Sequence, residues 1–132
     1  MNTFSVKQDP LRVEAMGTTR VGLIVASMKG LFEAAGAVYP EEGDEVKRPF
    51  QFETNDAPSL VLSILRLAAT SARDNGEMYA EISFSLITDK KASGELVGRK
   101  LPSPPAMPDV RGIDGQIKKD GDGVWRATVG LG

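Results

Sequence analysis

Apolar and polar positions along the chain follow two different periods. Leu11 to Met16 run Leu-Arg-Val-Glu-Ala-Met, the two-residue alternation of a half-buried strand. Gly17 ends that run, and Thr18 or Thr19 offers an N-cap for the next element. Val21, Ile24, Met28, Leu31 and Ala35 then recur at steps of three and four, with Phe32 beside them. This predicts an amphipathic helix over 19–35, closed by Gly36. Residues 40–48, rich in Glu and Asp, read as an exposed turn. Phe50 and Phe52 alternate with Gln51 and Glu53 in a short strand. Pro49 cannot donate to a ladder, so that strand begins at Pro49 or lies at a sheet edge. Asn55 or Asp56 caps a second helix over 57–74, with Pro58 in the first turn, where a missing N–H costs nothing. Leu60, Ile64, Leu67 and Ser71, widened by Val61, Leu65 and Ala68, give it a buried face, and Asp74-Asn75-Gly76 stops it.

The remainder reads as β structure. Ala80, Ile82, Phe84 and Leu86 alternate with Tyr79, Glu81, Ser83 and Ser85, and a weaker strand passes through Leu96 and Val97. Residues 101–108 hold four prolines and predict a stiff extended connector. A last hairpin runs from about Ile113 to Leu131 around Asp120-Gly121-Asp122-Gly123. No repeat or linker divides the chain. The expected architecture is one α+β domain over residues 1–132, a two-layer sandwich with both helices on one face of a mixed β-sheet.

Composition removes whole classes of chemistry. The 132 residues include no Cys and no His, which excludes a thiolate nucleophile, Cys-ligated zinc and the Ser/His/Asp or Cys/His arrangements. A metal, if bound, is a hard cation held by oxygen. Sixteen basic against eighteen acidic residues give a net charge of −2, which argues against a protein whose main work is gripping phosphate backbones. The first residues carry no apolar signal core and no later run approaches a membrane span, so a cytoplasmic protein with no membrane partner is expected.

The local candidates divide by chemistry. Asp120 and Asp122 suggest a calcium loop only superficially, because Leu131 stands where a bidentate Glu is needed; a hairpin turn is the stronger reading. The PxxP spacing within Pro102–Pro108 reads as a connector rather than a ligand. Lys90-Lys91, Arg99-Lys100 and Lys118-Lys119 read as solvated turns, or as a patch if the sheet gathers them. No carboxylate pair or phosphate loop stands out. The expectation is a binding or accessory module, not an enzyme.

Several spaced residues resemble the archease family over nearly the whole chain. They are the strand ending at Gly17, the helix ending Leu31-Phe32-Glu33-Ala34-Ala35, Asp56 ahead of Leu60-Val61-Leu62, the strand at 79–87, Gly98, and the closing 123–131 segment. The resemblance implies a small cytoplasmic accessory of the GTP-dependent RNA ligase of tRNA splicing, with that ligase as protein partner and calcium or another divalent cation as cofactor. Of the family's cation-site residues only Asp9 has a counterpart, since Leu131-Gly132 stands where the family has Leu-Asp. Arg111 stands for a family Lys and is the candidate partner-binding residue; the Tyr and His that follow that Lys are absent. The resemblance therefore implies a degenerate metal site. The alternative is a diverged protein- or ligand-binding domain of the same fold, unrelated to RNA ligation.

Overall fold

The computed structural model describes residues 2–114, 117 and 119–132. Strands β1 (Thr3–Lys7) and β2 (Arg12–Gly17) precede helix α1 (Arg20–Ala34). β3 (Glu45–Glu53), α2 (Ala57–Asn75), β4 (Glu77–Ile87), β5 (Lys91–Lys100), β6 (Val110–Asp114) and β7 (Trp125–Leu131) follow. The α+β class is as the pattern predicts. The single mixed sheet is not: the strands form two sheets, ordered β1-β2-β7-β6 and β3-β5-β4. Among the described residues every strand pairing, all of them within one sheet or the other, is antiparallel. Pairing partners such as β2 and β7 lie at opposite ends of the chain, so local periodicity carries no record of how the sheets divide.

Both helices start and stop for the predicted reasons. The Thr19 hydroxyl accepts from Gly22 N–H at 2.9 Å. Gly36, at φ +71°, ends α1 with Gly36 N–H on Glu33 O and Ala37 N–H on Phe32 O, a Schellman closure. Asp56 caps α2 by accepting from Ser59 N–H at 2.8 Å. Donation from Ser59 holds the Asp56 carboxyl below its usual range. Gly76, at φ +65°, closes α2. α1 is more deeply set than one apolar stripe predicts. Leu23, Ile24, Met28, Leu31 and Phe32 are fully buried, Gly22, Ser27 and Gly30 are buried as well, and Lys29 and Glu33 are the residues exposed. It lies against β1, β2 and β7 of one sheet, β4 of the other, and α2. Close approach explains the glycines: a Cβ on Gly30 would sit 2.4 Å from Val13 Cγ1.

Three strand expectations change. β1 is an additional strand, paired with β2 across the 8–11 turn. β3 begins at Glu45, so Arg48 belongs to a strand and not to the preceding turn. Pro49 sits within β3, which is tolerated because β3 is an edge strand bonded only to β5. In β4, register shifts at Tyr79/Glu81 and Phe84/Leu86 break the expected alternation. Tyr79 turns fully inward and Leu86 stays 47% exposed. Gly98 lies opposite Tyr79, where a Cβ would meet Met78 O at 2.0 Å, so the irregular strand requires glycine there. One apolar cluster, from Val13 and Leu23 through Leu65 and Tyr79 to Leu131, joins both sheets and both helices.

Candidate functional site

β6 is the edge of its sheet, and its outer carbonyls need partners that the ladder does not give. α2 supplies them. Arg66 Nε donates to Val110 O at 3.0 Å, and Arg66 Nη2 donates to Arg111 O at 3.2 Å. This clamp fixes the guanidinium at the mouth of a cleft of about 410 Å³ between α2 and the segment entering β6. Thr70 and Arg73 follow Arg66 at steps of four and three, so all three lie on one face of α2. Arg111 faces them from β6, with Asp109 beside it.

The charges in this cleft do not balance. Three arginines, Arg66, Arg73 and Arg111, line it against one acidic residue, Asp109. Arg73 makes only a 3.8 Å contact with neighbouring Asp74. Neither Arg66 nor Arg111 has a carboxylate within ion-pair distance among the described residues. Arginine forks present paired N–H donors that match carboxylate or phosphate oxygens two at a time. Chemically the arrangement offers anion recognition. Asp109 and the Thr70 hydroxyl are the other polar side chains among its described lining residues.

The sequence candidates are placed as follows. Arg111 lies in this cleft. Its guanidinium rests against Gly132, where a Cβ would approach Arg111 Nε to 1.9 Å. Asp9 occupies the exposed turn between β1 and β2, at φ +57°. It shares one end of the first sheet with Arg111 and Leu131, because Leu131 N–H donates to Leu11 O and Val110 pairs with Leu131. Among the described residues no group of three or more Asp or Glu side chains is placed to hold a metal ion, at Asp9 or elsewhere. Asp120 and Asp122 turn to Arg126 instead, at 2.5 and 3.2 Å, within a turn closed by Gly123 N–H on Asp120 O. Of the basic pairs, Lys91 meets Glu53 at 3.4 Å and the Arg99 guanidinium lies over Tyr39. Lys90 and Lys119 border a second cleft, and Lys118 lies outside the described residues.

Arg66 and Arg73 escaped the sequence reading. Their signal was present as a polar stripe, Arg66-Thr70-Arg73, on the outer face of the second predicted helix. No family model matches the chain. No curated protein is similar to it at a significant level. No helix among the described residues is long and apolar enough to cross a membrane.

Proposed function

We propose that the protein is a non-catalytic accessory module that docks an acidic segment of a protein partner in the α2–β6 cleft. The observation that carries this reading is the clamped Arg66 beside Arg73 and Arg111, facing one carboxylate. On a chain of net charge −2, such a local excess of positive charge steers and orients an anionic partner. Among the described residues no aromatic side chain borders the cleft. A single-stranded nucleic acid would lack a stacking platform there, whereas peptide carboxylates match the arginine forks.

The resemblance to archeases gives this reading its specific form, with the RNA ligase of tRNA splicing as the partner. One feature supports it: Asp9, Arg111 and the Leu131-Gly132 pair, the positions on which the resemblance turns, sit at one end of one sheet. In this form the module acts by contact and not through a cation. The test mixes the protein with the RNA ligase of the same organism and measures complex formation. A complex weakened about tenfold or more by Arg73→Glu with Arg111→Glu supports the ligase form, that factor being about 1.4 kcal/mol of binding free energy. Absence of any complex rejects the ligase form and leaves the wider docking reading to be tested on an acidic peptide.

A further inference from the structure

A second cleft opens where the starts of α1 and α2 meet the hairpin that leads into β7. Its volume of about 520 Å³ falls in the range of small-molecule pockets. Trp125, Ile117, Ala57 and Pro58 give it an apolar wall. Its charges fall into two groups. Arg20 lies over the Trp125 ring at 5.0 Å and pairs with Asp89 at 2.5 Å, while Asp56 is engaged with Ser59 N–H. Those three are occupied by the fold. Lys90 and Lys119 are not: neither ammonium has a carboxylate within ion-pair distance among the described residues. Arg20 Nε is, among the described residues, the buried side-chain nitrogen or oxygen that lacks a hydrogen-bond partner. Such orphans are rare in folded proteins. Arg20 is one of the residues that line the cleft.

We propose that this cleft binds a mononucleotide, with the base against the Trp125 wall and the phosphate between Lys90 and Lys119. Lys90 and Lys119, neither held in an ion pair among the described residues, offer a phosphate monoester two ammonium donors for its several oxygens. A tryptophan wall favours a flat ring and is tolerant of which base it meets. The cleft has room for one such ligand, and the overall negative charge of the chain disfavours a polynucleotide. The site is separate from the arginine cleft and shares no residue with it.

Trp125 is the chain's only tryptophan, so its emission reports on this cleft alone. The experiment titrates the protein with adenosine monophosphate and cytidine monophosphate, and separately with adenosine and with inorganic phosphate. Calorimetry serves as the second readout. The expected result is saturable change of Trp125 emission by both monophosphates, with adenosine and phosphate each weaker by about tenfold or more. Lys90→Ala with Lys119→Ala should weaken monophosphate binding by a similar factor at unchanged melting temperature, since both lysines lie at the surface. Arg66→Ala with Arg73→Ala should bind nucleotide as the wild type does, which separates this site from the docking cleft. No saturable binding of either monophosphate at millimolar concentration overturns the proposal. So does unaltered binding by the lysine variant, or phosphate alone binding as tightly as the nucleotide.

Discussion

Replacing Arg48 by methionine should expose how strongly the second sheet depends on one buried ionic cluster. Glu77, at the start of β4, is fully buried, and Arg48 reaches it from β3 with Nε to Oε1 at 2.8 Å and Nη2 to Oε2 at 2.5 Å. The Tyr79 hydroxyl donates to the same carboxylate at 2.7 Å. Donation from Arg48 is the main reason the Glu77 carboxyl sits below its ordinary range, against an opposing effect of burial. Removing one partner from a buried pair costs about 3–5 kcal/mol, because the other charge is left uncompensated. The Arg48 side chain is 39% exposed, so water can reach the gap it leaves, and about 2–3 kcal/mol is the better expectation here.

The pH dependence fixes the cause. In the wild type the depressed Glu77 contributes stability that is complete above the unfolded carboxyl pKa, about 4.3, and is lost as pH falls through its folded value. In Arg48→Met burial, opposed only by the Tyr79 hydroxyl and the charge of Lys100, raises the Glu77 pKa, so the variant should lose stability as pH rises past about 4.3. The two effects add, and the gap between the proteins should widen from about pH 3 to neutrality. Urea melts at several pH values measure it, with the slope checked for constancy between variants. Adding Glu77→Gln to Arg48→Met should recover much of the loss at neutral pH. A loss below about 1 kcal/mol, with no pH dependence, would show that the cluster is a surface pair and the reasoning mistaken.

Two further outcomes follow from the packing and the chemistry. Gly30→Ala gains about 1 kcal/mol of helix propensity but drives a methyl group into the stiff Val13 side chain, where overpacking costs about 1–3 kcal/mol. Net destabilisation by thermal melting is expected, and a rise in melting temperature would contradict the close approach of α1 to β2. Millimolar calcium, magnesium or manganese should leave the melting temperature within about two degrees of its value in chelator, whereas a native-state site at one hundred times its dissociation constant adds about 2.7 kcal/mol, or about ten degrees. A rise of that size abolished by Asp9→Ala would mean that other oxygens converge on Asp9.

What could be read from the sequence was local. Thr19, Asp56, Gly36 and Gly76 act through residues three to five positions away, so the helix ends were legible almost to the residue. β1 was not, because its two apolar residues, Phe4 and Val6, are only partly buried and give little contrast. The depth of α1 was hidden because Gly22, Ala26, Ser27 and Gly30 read as weakly apolar, yet their small size is what lets the sheet come close. Tyr79 fell in the polar phase of its strand until a bulge reversed it. The charged sites share one cause of illegibility. Arg48 meets Glu77 across 29 positions, and Arg66 meets β6 across 44 and 45. Only the fold makes those residues neighbours. Arg111 was singled out alone, and its companions on α2 joined it through the proline-rich connector that delivers β6.

The central claim is that the arginine cleft docks an acidic segment. The most direct measurement is fluorescence anisotropy of a labelled glutamate-rich peptide titrated with the whole protein, at low and at physiological salt. The account predicts saturable binding that weakens as ionic strength rises, as exposed charges become screened beyond about 8 Å. It also predicts loss of about tenfold or more in affinity for Arg73→Glu with Arg111→Glu, while Lys90→Ala with Lys119→Ala leaves the peptide bound as before. Binding untouched by reversal of the two arginines, or no saturable binding at low salt, would contradict it.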